Sequence, residues 1–285
     1  MALLLTEADI RELLPMPDLI AAMDRVLAAF SDGAARQPVR TAIQVGEALA
    51  FFGIMPAYLE APAVLGAKLV TVFEANANRG LPTHLATILL LDPGTGALAA
   101  VMDGRYITAA RTAAVSAVAV QRLARADASV VAIVGSGVQA SIHVEALRCV
   151  RPFHEVRAWS PTAAHLQKFA SDAGVRACET AEQAVRGASV IVLATSSSTP
   201  VIRDDWVEDG ALVISLGAFR PDMREMDPAL LARARMVVDS RTAALIEAGD
   251  IVQGIREGRF DPSHIAGELG EVILAVSRAG FPRVM

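Results

Sequence analysis

Only two cysteines, Cys149 and Cys178, occur in the 285 residues. That excludes a disulfide framework and a metal site built on clustered thiolates, and it suits a reducing compartment. Hydrophobic residues make up 53% of the chain, yet no run reaches the length of a membrane span. The opening Met1-Ala-Leu-Leu-Leu-Thr-Glu7 lacks the basic n-region and the cleavage site of a secretory leader. There is no long basic stripe and the net charge is −5, so nucleic acid is a poor partner. Internal repeats and low-complexity tracts are absent as well. What remains has the character of a cytoplasmic protein, long enough for two domains with well-buried cores.

The chain changes texture along its length. Thr6 precedes a first helical pattern as a capping residue, and Pro17 to Phe30 repeats apolar positions at helical spacing. Strand-like segments follow at 39–45, 48–54, 66–73 and 86–91. Asp92-Pro-Gly-Thr-Gly96 reads as a hairpin turn into another strand, and an alanine-rich helix is expected over 107–123. From Ser129 onward strand and helix alternate, with strands expected at 130–134, 156–159, 190–194, 212–216 and 236–238. Such alternation is how a parallel sheet is written. The expected fold is α/β: a mixed α/β domain over 1–125, then a doubly wound, Rossmann-type parallel sheet over 126–285.

The most telling segment is Ser129-Val-Val-Ala-Ile-Val-Gly-Ser-Gly-Val-Gln-Ala-Ser141. A β-branched run ends in Gly135 and Gly137 and passes directly into a helical pattern. Gly135 permits the turn, Gly137 lets backbone approach a pyrophosphate, and Ala140 is the small residue at the helix–strand contact. The next strand ends at Ser160-Pro-Thr162 with no carboxylate to hold ribose hydroxyls or repel a 2′-phosphate. That tips the reading towards NADPH with NADH left open; alternatively, Ser160 and Thr162 simply cap the next helix.

Three cations stand on otherwise apolar stretches: Arg40 at the head of a strand, Lys68 within one, and Arg111 among alanines. Buried cations are costly, so such residues meet a protein carboxylate, await an anionic ligand, or reach solvent along their stems.

Segments distributed from residue 37 to residue 272 resemble the ornithine cyclodeaminase/mu-crystallin family, and within it the mu-crystallin branch. They include Gln37-Pro-Val-Arg-Thr41, Phe52-Gly-Ile-Met-Pro-Ala-Tyr58, Leu81-Pro-Thr-His84, Ile107-Thr-Ala-Ala-Arg-Thr112, Gly217-Ala-Phe-Arg-Pro-Asp-Met-Arg-Glu225, Glu247-Ala-Gly-Asp250 and Gly267-Glu-Leu-Gly-Glu-Val272. The resemblance implies that Arg40, Lys68 and Arg111 receive the carboxylate of an amino or imino acid, with Glu247 at the ligand pocket. It implies cofactor contacts from Thr83, His84, Arg111, Val138, Gln139, Ser160, Thr162, Thr195 and Leu216, beside Gly135 and Gly137. For His84 the other reading is a core histidine bonded to backbone. Lys68 and Arg111 are the residues to which catalysis is assigned, and no metal is expected. A homodimer formed through the first domain is implied too.

The departures decide the activity. Cyclodeaminases of this family carry an aspartate where this chain has Phe219, and a glutamate where it has Gly53. Without those carboxylates a diamine has no group to take its protons or hold its ammonium end, although Asp222 lies three residues beyond Phe219. The resemblance thus implies reduction of a cyclic ketimine, Δ1-pyrroline-2-carboxylate or Δ1-piperideine-2-carboxylate, with Lys68 as anchor and proton source. Alternatives are an alanine-type amino-acid dehydrogenase, an ornithine cyclodeaminase, and a non-catalytic small-ligand binder. Family members also continue beyond the position of Val272 with a Thr-Val-Phe-Lys-Ser segment and a closing helix. Here the sequence reads Ala279-Gly-Phe-Pro-Arg-Val-Met285, so the expectation is a first domain completed differently or a less stable product.

Overall fold

The computed structural model describes residues 1–46 and 50–279. Ala48, where one strand was expected to begin, and the stretch after Ala279 lie outside the described residues. By its internal contacts the chain divides into two compact units, Met1–Arg111 and Thr112–Met285.

The first unit opens with strand β1 (Leu3–Leu5) and helices α1 (Glu7–Leu13) and α2 (Met16–Ser31). Thr6 accepts from the Asp9 N–H while the Asp9 carboxylate takes the Thr6 N–H, which satisfies two of the orphan donors at the start of α1. Then come β2 (Ala35–Arg36), β3 (Thr41–Gln44), β4 (Ala50–Leu59), β5 (Val64–Phe73), β6 (His84–Leu91) and β7 (Leu98–Asp103). These seven strands form one sheet in the order β1-β7-β6-β5-β4-β2, with β3 also paired to β4. All pairs are antiparallel except β1 on β7, a parallel strand the sequence pattern had not disclosed. The hairpin between β6 and β7 is tied by Asp92, whose carboxylate accepts from the N–H groups of Gly94 and Thr95. Helix α3 (Arg105–Leu123) then carries four alanines, Ala110, Ala113, Ala114 and Ala117, with no exposure at all.

The second unit alternates as expected: β8 (Val130–Val134), α4 (Val138–Val150), β9 (Glu155–Trp159), α5 (Ala163–Ala173), β10 (Arg176–Ala177), α6 (Ala181–Val185), β11 (Val190–Leu193) and β12 (Leu212–Ser215). The sheet is wholly parallel, ordered β10-β9-β8-β11-β12. Both faces are covered, which is why β8 reads as a continuous apolar run. Val131 and Ile133 pack into one core with Val144, Leu147 and Phe169. Ala132 and Val134 enter the opposite core with Val185, Ile202 and Leu230. Full burial of each branched side chain contributes about 1.5–3 kcal/mol. Arg151 holds the entry to this sheet, its guanidinium donating to the carbonyls of Arg125, Ala126 and Ala128.

The chain finishes with α7 (Pro228–Arg233), β13 (Met236–Val238), α8 (Arg241–Glu247), α9 (Gly249–Arg256), β14 (Ile265–Glu268) and α10 (Leu269–Ala279). Here the structure corrects the membership of the parallel sheet. Residues 236–238 form a strand, but it pairs with β14 in a separate two-stranded sheet rather than extending the parallel one. A third cluster around Leu231, Met236, Ala244, Ile251 and Ile265 gives this pair its own core.

Candidate active site

In the first unit two arginines, Arg111 and Arg40, lie within electrostatic reach of Lys68. Arg40 stands just ahead of β3, Arg111 lies on α3, and Lys68 occupies the middle of β5, opposite Met55 of β4 and Ile88 of β6. Neighbours on both sides half-bury the Lys68 side chain. Burial, then the charge of Arg111, then that of Arg40 push its pKa down from 10.5 to about 8. Such a cluster favours an anion, because each positive group lowers the cost of bringing one in.

Thr83 and His84 lie at the start of β6. The Thr83 carbonyl accepts from the Phe73 N–H, and His84 Nδ1 sits 3.1 Å from Thr83 Oγ. His84 is exposed, so the reading as a core histidine does not hold. Gly53 is buried in β4, where an added Cβ would stand 3.1 Å from Val70 Cγ1. A glutamate at this position therefore requires Val70 to move.

In the second unit the remaining candidates gather along one edge of the parallel sheet, just past the carboxyl ends of its strands. Gly135 and Gly137 follow β8, Ser160 follows β9, Thr195 follows β11 and Leu216 follows β12. This is the edge at which open α/β sheets receive ligands. Gly135 adopts φ +129°, and its N–H donates to Trp159 O at 2.8 Å. A side chain there would run into the Ala194 carbonyl. Gly137 is the N-cap of α4 with no side-chain cap, and a Cβ on it would meet nothing within 4 Å. The first turn of α4 therefore has no side chain capping its N–H groups and no Cβ at its N-cap, an arrangement that suits a phosphate. Val138 is 74% exposed beside it, and the buried Oε1 of Gln139 has no hydrogen-bond partner among the described residues.

Helix capping does not account for the two hydroxyls after β9. Thr162 occupies the N-cap of α5 without making a capping bond, and Ser160 Oγ receives a hydrogen bond from Ser136 Oγ at 2.9 Å. Glu247 closes α8, and the next helix is tied to the loop after β12 by the Gly249 N–H, which donates to Ala218 O at 2.8 Å. Phe219 in that loop is 38% exposed. Asp222 is exposed and paired with Arg220 at 3.1 Å, and that hydrogen bond holds its carboxyl below the usual range. A carboxylate so engaged is a poor replacement for a proton-accepting aspartate at position 219.

Two groups escaped sequence reasoning. His143 of α4 is fully buried, its Nδ1–H donating to Gln139 O at 2.7 Å while Nε2 accepts from Ser116 Oγ at 2.9 Å. Burial takes its pKa down to about 4. Glu225, also fully buried, and Asp250 meet around Ser215 behind the loop after β12. Both acids lie in segments that carry the family resemblance, but nothing in the linear sequence marks them as buried. Among the described residues no group of three His, Cys, Asp or Glu side chains is arranged to hold a metal, and no helix is long and apolar enough to cross a membrane.

Residues 1–279 match the ornithine cyclodeaminase/mu-crystallin family. Ketimine reductase mu-crystallin of Mus musculus is 44% identical over 260 residues, which cover 90% of this chain and 81% of the mouse protein. Among solved structures, the Thermococcus litoralis Δ1-pyrroline-2-carboxylate reductase in complex with NADH and L-proline superposes with a TM-score of 0.92. It is 35% identical and covers 96% of this chain and 87% of its own. An archaeal alanine dehydrogenase dimer with bound NAD gives a TM-score of 0.90 at 33% identity, over 96% and 85% of the two chains.

Proposed function

Because the chain belongs to the ornithine cyclodeaminase/mu-crystallin family, we propose that it is an NAD(P)H-dependent reductase of cyclic imino acids. The substrates proposed are Δ1-pyrroline-2-carboxylate and Δ1-piperideine-2-carboxylate, reduced to proline and pipecolate. The observation that carries this reading is the cation cluster, with Lys68 held down to about 8 by burial and by Arg111 and Arg40. Likeness to the mouse ketimine reductase and to the Thermococcus enzyme supports the same chemistry.

In this reading Arg40 and Arg111 take the substrate carboxylate. Guanidinium groups are suited to a two-point grip that removes rotational freedom from the bound acid. Lys68 stays largely protonated at neutral pH, and with a pKa near 8 it gives up a proton more readily than an ordinary lysine. The imine nitrogen is the proposed acceptor of that proton; the arginines, always charged, cannot supply one. The reduced nicotinamide, when bound, supplies hydride to the imine carbon. Gly135, Gly137, Val138, Gln139, Ser160 and Thr162 are assigned to its phosphates and adenosine half. Thr195 and Leu216 are assigned to its nicotinamide half, and the family resemblance assigns cofactor contacts to Thr83, His84 and Arg111 as well. The uncapped α4 and the unpartnered Gln139 Oε1 support that fit.

The finer preference proposed is NADPH over NADH, since β9 runs into Ser160 with no carboxylate to repel a 2′-phosphate. A homodimer through the first unit is proposed as well, supported by the dimeric archaeal relative and by apolar side chains exposed there at Leu3, Leu4, Ile43 and Leu98. Light scattering behind a sizing column tests it, and a clean monomer contradicts it.

The likeness to alanine dehydrogenase keeps reductive amination of a keto acid as the second reading. Initial rates with both cyclic imines and both reduced nucleotides, set against pyruvate with ammonia and against L-ornithine, separate the two. If neither imine is reduced while L-alanine or L-ornithine is oxidised, the imine reading is wrong.

A further inference from the structure

We propose that Glu225 is a positioning residue for the cofactor end of this reaction, acting as an anion that a proton kept on Asp250 holds in place. The proposal rests on the reductase reading, which assigns Thr195 and Leu216 to the cofactor. Glu225 lies between β12 and α7 with its side chain wholly enclosed. Its Oε1 accepts from the Thr195 N–H at 2.7 Å and the Thr195 O–H at 2.8 Å. Its Oε2 accepts from the Gly217 N–H at 2.7 Å and lies 2.8 Å from Ser215 Oγ. Thr195 stands two residues beyond β11 and Gly217 two beyond β12. One carboxylate therefore clamps together the two strand ends that carry the residues assigned to the nicotinamide half. Four donors fill the acceptor positions of an ionised carboxylate.

A proton count assigns the charge. Ser215 Oγ lies within hydrogen-bond distance of two acids, Glu225 Oε2 at 2.8 Å and Asp250 Oδ2 at 3.1 Å. A hydroxyl has one proton and cannot donate to both. Asp250 Oδ1 is already taken by the N–H groups of Glu225 and Met226, each at 3.0 Å. A proton on Asp250 Oδ2 satisfies every group: Asp250 donates to Ser215 Oγ, and Ser215 donates to Glu225. Two buried carboxyls then carry one negative charge, which avoids two like charges in a dry site. Burial raises both carboxyls above their ordinary range. Arg224 is the positive group facing Asp250, and it is itself paired with Glu257 at 2.9 Å.

The test compares Asp250→Asn with Glu225→Gln, titrating each protein with NADPH and with NADH by nucleotide fluorescence below its melting temperature. Asparagine copies the protonated acid, donating to Ser215 and accepting from the two N–H groups, so cofactor affinity should stay within about twofold. Glutamine turns an N–H2 towards two donors, and cofactor binding should weaken by about tenfold or more. The KM for the imino acid, set by the cations of the first unit, should change far less than that for the cofactor. Ser215→Ala supplies a milder variant should Glu225→Gln fail to fold, with the same split expected at about three- to tenfold. Folded Glu225→Gln or Ser215→Ala protein that binds cofactor normally overturns the proposal, and so does Asp250→Asn proving as damaging as Glu225→Gln. If the unsubstituted protein binds nucleotide but reduces no cyclic imine, the imine reading fails while the binding comparison still decides the role of Glu225. If it binds neither nucleotide, both fail.

Discussion

Replacing Lys68 by methionine should stabilise the ligand-free protein and abolish its response to carboxylates. Holding the lysine at about 8 in place of 10.5 corresponds to a penalty of about 3.4 kcal/mol on its charge. Because the side chain is only half-buried and solvent screens part of that penalty, about 1–2 kcal/mol is the expected gain. Methionine keeps the length and apolar stem of lysine, so little packing is lost. For a protein of this size the gain amounts to roughly 2–8 °C in melting temperature. The pH dependence has a definite sign. Between pH 8 and 10.5 the unfolded chain holds the Lys68 proton more tightly than the folded one, so wild-type stability rises with pH across that window. The advantage of Lys68→Met is thus greatest below pH 8 and vanishes above 10.5. Differential scanning fluorimetry at pH 7 and pH 10.5, with and without L-proline, measures both effects. A ligand-free variant no more stable than wild type at pH 7, or one that keeps the proline-induced shift, refutes the reasoning.

Gly135→Ala combines a left-handed φ with a clash on the Ala194 carbonyl; it should cost about 3 kcal/mol or more and abolish nucleotide binding, read from urea midpoints and fluorescence titration. Stability supported by neutral His143 is complete above pH 6.5 and lost as pH falls through about 4, about 3 kcal/mol in all. The gap in urea midpoint between wild type and His143→Gln should accordingly narrow from pH 7 to pH 4.5, and a constant gap contradicts the assignment. Asp222→Asn should leave imine reduction within about twofold, as an exposed pair with Arg220 is worth little; a large drop in kcat would restore Asp222 as a catalytic carboxylate.

The fold was legible wherever burial is two-sided or periodic. Strand β8 reads directly because both faces of its sheet are covered, and α2 because its apolar positions recur at helical spacing. Short strands were not: β10 has two residues, one of them arginine, and β1 is recognisable only beside β7. Residues 236–238 have strand composition, but composition does not name a partner, and the partner is β14. The same limit governs the site. Lys68 stands out because a lysine in an apolar strand contradicts its surroundings. Glu225 does not, because its burial is created by donors on Thr195, Ser215 and Gly217, brought to it only by the parallel sheet.

The four enclosed alanines of α3 carry a consequence for how this chain could be re-engineered. Ala110, Ala113 and Ala114 flank Arg111 on this helix with no exposed surface, so a larger side chain at any of them has to find its volume inside the packing. Valine at Ala114 would have to be absorbed by a shift of the helix, and the guanidinium would travel with it. Substrate preference could thereby be retuned from behind the cation cluster, by changing the thickness of the wall it stands on and leaving every charged group in place.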